Sequence, residues 1–224
     1  MQIVLCCFIS SATVAETYRT ELPNALDDSG WNLMLDENDI QVFTREWPGS
    51  DFVAIKGVQT INSSLSNILG NFIDIASFPE WVKDAEEGYV IEPFDKSQAR
   101  KIYLRMNLPW PLKDRDIVSG QSVNQNTITK IVTIREWYEG DTLPITDGVI
   151  RIPRLNTEFL LIPYEKNSTK LIWQGHNDPG GLIPSFLVNW LIENVFFTSM
   201  TTMKKRFENP EHFKSVDWIL DFEQ

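Results

Sequence analysis

Between residues 101 and 108 apolar and polar positions alternate strictly. Ile102, Leu104, Met106 and Leu108 take one parity, and Lys101, Tyr103, Arg105 and Asn107 take the other. A period of two predicts a strand with one buried face. Looser versions of the same alternation predict strands over residues 39–43, 52–61, 118–124, 127–137, 149–152, 157–162 and 170–174. Turn-forming clusters separate them: Pro48-Gly49, Asn124-Gln125-Asn126, Gly140-Asp141, Asp147-Gly148 and Lys166-Asn167-Ser168. So many strands without interleaved helices imply an antiparallel, strongly curved sheet.

Helical spacing occurs in two places. Leu65, Ile68, Leu69 and Phe72 follow serines that suit an N-cap, which predicts a short helix over 63–72, with a further helical turn at 79–82. Residues 185–207 contain neither Pro nor Gly and predict one long helix of about 34 Å, at ~1.5 Å per residue. Phe186, Trp190, Asn194 and Phe197 recur every three or four residues and define the face expected to turn inward. Asn189, Glu193 and Asn194 interrupt the apolar run, so it does not read as a membrane span. A helix this apolar must be covered on more than one side. The fold class is therefore α+β, with a curved antiparallel sheet wrapped around a C-terminal helix. A sheet curved that far leaves an interior too wide for side chains to fill, and so a place for an apolar ligand.

Composition narrows the partners. The 224 residues carry 20 Lys and Arg against 31 Asp and Glu, a formal charge of −11, which argues against a nucleic-acid binder. The apolar stretch 3–9, followed by Ala12-Thr13-Val14-Ala15, reads as an export leader over residues 1–15, with a short buried strand as the alternative. Cleavage after Ala15 would leave no cysteine, because Cys6 and Cys7 are the only two. The expected location is then outside the cytoplasm, in the periplasm of a Gram-negative host. Neither a phosphate loop nor a dinucleotide or serine-hydrolase motif occurs, and no cofactor is implied. His176-Asn177-Asp178 is read as a strand end rather than a metal or acid–base site, and His212 as a solvated residue of a tail over 208–224.

Three stretches together resemble the START domain, the steroidogenic-acute-regulatory-related lipid-transfer module. They are the strand and Pro-aromatic-Pro bulge from Ile102 through Pro109-Trp110-Pro111 to Arg115-Asp116-Ile117-Val118, then Gly148-Val149-Ile150-Arg151, then Asn177-Asp178-Pro179-Gly180-Gly181 with the run to Trp190. The last is similar to the phosphatidylcholine-transfer branch, and the resemblance spans residues 22–207. It implies a helix-grip fold and a monomer that holds one lipid, such as a sterol or phospholipid, in a tunnel. It also implies a gate formed by the last helix and its neighbouring loops, transient membrane contact, and no chemistry on the lipid. Where sterol-binding members carry a buried acid and a base, this chain has Ile102 and Gln121. Near Phe78 it has no Arg like the one that phosphatidylcholine-transfer members use.

The residues expected to meet lipid are Ile102, Leu104, Met106, Trp110, Arg151, Phe186, Trp190, Asn194 and Phe197. For Arg151 a structural ion pair or strand-end hydrogen bonding is the competing reading; Arg115 with Asp116 is read as structural rather than as a headgroup contact. The competing function is a helix-grip enzyme such as a polyketide aromatase or cyclase, which needs acid–base groups inside the cavity. The apolar parity of Ile102, Leu104 and Met106 and the two histidines favour lipid binding.

Overall fold

One ten-stranded sheet carries the molecule. Its strands are β1 (Asn32–Glu37), β2 (Ile40–Arg45), β3 (Ala54–Ile61), β4 (Ala85–Glu92), β5 (Ala99–Met106), β6 (Arg115–Gln125), β7 (Val132–Tyr138), β8 (Ile150–Arg151), β9 (Asn156–Glu165) and β10 (Ser168–Gly175). The computed structural model describes residues 22–96, 98–183, 187 and 192–221. The order across the sheet is β1-β2-β3-β10-β9-β7-β6-β5-β4, all antiparallel, and β8 lies parallel to the start of β6. The β3–β10 ladder joins the two halves of the chain.

Between β3 and β4 the chain crosses the sheet through helix α1 (Leu65–Ile73) and a 3-10 turn, Ile75–Glu80. Ser64 caps α1, its side chain accepting from the Asn67 amide at 3.2 Å. After β10 come a π-helical segment, Ile192–Phe196, and helix α2 (Phe197–Glu208). The main core lies where both helices meet the sheet. Ile61, Ile102, Leu104, Ile134, Phe159, Leu161 and Leu171 face Leu65, Ile68, Leu69 and Phe72 of α1 and Met203 and Phe207 of α2. A second cluster packs Ile40, Val42 and Ile55 against Phe196 and Met200. Gly57 permits that approach, since a Cβ there would overlap the Met200 and Phe196 side chains.

Three expectations need correction. Strands β1 and β4 were not predicted, because neither leaves a buried parity to detect: Leu33, Met34, Asp36 and Glu37 are exposed in β1, and Glu86, Glu87, Tyr89 and Val90 in β4. The β1–β2 hairpin turns through Asn38 and Asp39, both at positive φ, which short polar side chains tolerate. Nor does the last helix run as uninterrupted α-helix. Residues Ile192–Phe196 are π-helical, so a 3.6-residue spacing does not carry through them. The described apolar residues buried on this helix are Phe196, Met200, Met203 and Phe207; Phe197 is half-buried and Asn194 is exposed. Finally, residues 209–221 do not trail into solvent but fold back over α1, with Ile219 buried in the main core. Phe186 and Trp190 lie outside the described residues.

Candidate functional site

The strand register read from the alternation holds in β5. Ile102 and Leu104 are buried in the core and Met106 packs against it. Lys101 and Arg105 take the other face, where they pair with Glu92 at 3.1 Å and Asp114 at 2.7 Å. Where α1 covers the sheet this inner face is filled. Beyond it Met106, Ile117 and Trp173 belong to the same apolar face yet stay only half-buried. Trp173 stands between Phe159, 5.2 Å away ring to ring, and Phe196, at 4.3 Å. An apolar wall thus continues past the part of the core that the helices close.

One cluster of polar groups is set into the inner face. Arg100, Gln121 and Glu136 are cross-strand partners on β5, β6 and β7, and share the inner parity of Ile102, Val123 and Ile134. Arg100 Nε donates to Gln121 Oε1 at 2.8 Å, and Gln121 Nε2 donates to Glu136 Oε1 at 2.6 Å. The Arg100 guanidinium also donates to the carbonyls of Ile73 and Phe72, where the C-terminal end of the α1 dipole favours a cation. Burial draws its pKa down to about 10, the nearby Glu136 and Asp74 opposing. Burial likewise pushes the Glu136 carboxyl above the usual carboxylate range, opposed by the Gln121 hydrogen bond and Arg100. One rung along β6, Ser119 Oγ is fully buried and has no partner among the described residues. A buried hydroxyl left unpaired costs about 1–3 kcal/mol. Gln59 Oε1, on the same face of β3, is likewise buried without a partner among the described residues.

Sequence reasoning singled out Gln121 but passed over Arg100 and Glu136, although the signal was present. Arg100 and Glu136 occupy the buried parity of their strands, and a charge there needs partners or a function.

The other expected residues sit elsewhere. Arg151 is buried against Asp116, with Nε and Nη2 reaching the two carboxylate oxygens at 2.7 and 2.8 Å. Its Nη atoms also donate to the Gly140, Leu143 and Pro144 carbonyls. All five N–H groups are engaged within the protein, so none is left for a headgroup. Burial lowers the Arg115 pKa. Its guanidinium bonds the carbonyls of Lys113, Pro179 and Gly180, fastening the 108–114 bulge to the loop before the last helix. Trp110 does not face inward; at 92 % exposure it projects from the bulge, while Leu182 projects from the neighbouring loop.

His176 is buried and stacks on Trp47, ring centroids 4.5 Å apart. Its Nε2 faces Ser50 Oγ at 3.0 Å and the Phe52 carbonyl at 3.2 Å. A carbonyl only accepts, so Nε2 carries the proton and cannot serve as a base toward Ser50. Burial holds the ring's pKa below the ordinary histidine value, the Phe52 hydrogen bond opposing. Among the described residues no three His, Cys, Asp or Glu side chains gather as metal ligands.

The profile of the START domain matches residues 13–212. The chain belongs to the START domain family. An uncharacterized protein of Pseudomonas aeruginosa is 25% identical to it over 188 residues, spanning 83% of this chain and 90% of that one. The phosphatidylcholine transfer protein of Bos taurus is 24% identical over 198 residues, spanning 83% and 87%. Among solved structures, a STAR-related lipid transfer protein from Xanthomonas axonopodis superposes with TM-score 0.74 at 26% identity, covering 80% of this chain and 99% of that fragment. Human STARD10 superposes with TM-score 0.75 at 19% identity, covering 91% and 82%. The sheet gripping a C-terminal helix is thus the START fold, and the relatives support lipid binding or transfer as the general role.

Proposed function

We propose that this protein holds one lipid between the inner face of its sheet and its last helix, and carries it between membranes as a monomer without altering it. The observation that carries the reading is the half-buried apolar wall of Met106, Ile117 and Trp173 beside the unpaired hydroxyl of Ser119. Apolar surface of that extent favours an acyl chain or ring system, at about 25 cal/mol per Å² removed from water. Ile102 and Leu104 continue the wall toward the core. A lipid group that both donates and accepts, a hydroxyl or an amide, suits Ser119 with Glu136 and Gln121. The export reading of residues 1–15 would place this work outside the cytoplasm. No step of lipid chemistry is assigned, because the His176 ring nitrogen nearest a hydroxyl is already a donor.

Trp110 and Leu182 are the proposed points of membrane contact, and their loops the gate. Both are exposed apolar side chains, and Arg115 links the loops that bear them. A Trp110→Ala, Leu182→Ala variant should lose about 2 kcal/mol or more of membrane attachment, on the basis of the apolar area withdrawn from water. Fluorescent-lipid transfer between vesicles should then slow at least tenfold, with the Tm and the amount of lipid bound per chain unchanged. Transfer at the parent rate would remove these loops from the mechanism.

A further inference from the structure

Helix α1 is sandwiched, with the sheet on one side and residues 209–221 on the other. Its outward face is made of Ser66, Asn67, Gly70 and Asn71, polar or minimal residues where an exposed helix would carry long charged ones. Each is fitted to the chain lying on it. Ser66 Oγ donates to the Val216 carbonyl at 2.5 Å and accepts from its amide at 2.8 Å. Gly70 leaves room for the Lys214 carbonyl, which a Cβ would overlap. Farther along, Gln125 on β6 exchanges two hydrogen bonds with the Leu220 backbone, at 2.7 and 2.8 Å.

The two asparagines do more than receive the segment. Asn67 Oδ1 accepts from the Lys214 amide at 2.7 Å, while its Nδ2 donates to the Phe207 carbonyl in α2 at 3.0 Å. One turn later Asn71 Nδ2 donates to the His212 carbonyl at 3.2 Å, while its Oδ1 accepts from Arg206 Nε of α2 at 3.3 Å. Both amides are buried. Each has one end on the terminal segment and the other on the last helix. Around α1 the same amides are also held by Asn67 Nδ2 donating to Ser63 Oγ at 2.6 Å and Asn71 Nδ2 to the Asn67 carbonyl at 3.0 Å, so losing the segment removes one of several bonds that aim each amide at the last helix.

We propose that the outward face of α1 is a docking groove for this chain's own segment 209–221, and that the docked segment is a latch. While seated, it fixes the C-terminal half of the last helix through Asn67 and Asn71. Lipid exchange that needs movement of that half is thereby slowed. Exchange through that helix rests on the function proposed above; the coupling between segment and helix does not.

The test uses the full chain and Gly70→Ala. In a helix interior alanine is favoured over glycine, so any loosening must come from steric displacement of the segment. Ser66→Ala, which removes both bonds to Val216, is the second variant. Amide hydrogen exchange at Lys214, Val216 and Leu220 should accelerate at least tenfold in both variants. Exchange over residues 203–208 should accelerate with it, while the β9 and β10 amides stay protected. Release of a bound fluorescent lipid should also quicken severalfold. Opening of the segment with 203–208 unchanged would overturn the latch, as would a segment that stays protected in both variants. If the amides respond together but neither parent nor variant binds lipid, the latch stands and the lipid-carrier reading fails.

Discussion

Arg151→Ala is expected to destabilise the protein by about 3–5 kcal/mol, the usual cost of removing one partner of a buried ion pair. Asp116 would lose its partner in a site with no exposed side-chain surface, and the Gly140, Leu143 and Pro144 carbonyls would lose their donor. Arg151→Lys should recover only part of the loss. A compact ammonium cannot reproduce a planar fork that meets two carboxylate oxygens and three carbonyls together. Urea unfolding of the two variants measures both effects. If Arg151 instead gripped a headgroup, Arg151→Ala would lose lipid and leave the unfolding midpoint unchanged.

Phe207→Ala should cost a similar amount, about 3–5 kcal/mol for an aromatic side chain removed from a packed core. Phe207 is fully buried and meets Phe72 at 5.6 Å and Trp81 at 5.4 Å, both edge-on. It joins α2 to α1 and to the turn before β4, so the cavity left behind has three elements around it. The urea midpoint should fall with an unchanged m-value, the mark of lost stability rather than altered compactness. A shift below ~1 kcal/mol would mean that the C-terminal end of α2 is not part of the closed core.

The fold is legible in the sequence wherever burial is one-sided. The parity of β5 was readable because Ile102 and Leu104 alternate with Lys101 and Arg105, and the structure keeps that register. On the described part of the last helix, Phe196 is buried while Phe197 is half-buried and Asn194 exposed. A π turn leaves no mark in the spacing of apolar residues. Arg151 was open to two readings, since a charged residue at a strand end looks alike whether its partner is a headgroup or Asp116. Trp110 is exposed on its loop. The latch was hidden for a different reason: Ser66, Asn67, Gly70 and Asn71 look like a weak helix face until the segment that covers them is in place. Likewise Arg100 and Glu136 stood on buried parity, but their partners lie on neighbouring strands, which a linear reading does not bring together.

The central claim is that the interior of this protein holds an intact lipid. Native mass spectrometry of gently purified protein, with analysis of its organic extract, tests it most directly. The expected result is a monomer carrying one lipid of unaltered structure, displaced one for one when excess lipid vesicles are added. A chain that stays empty after incubation with such vesicles, or one that returns its ligand as a new product, would contradict the account.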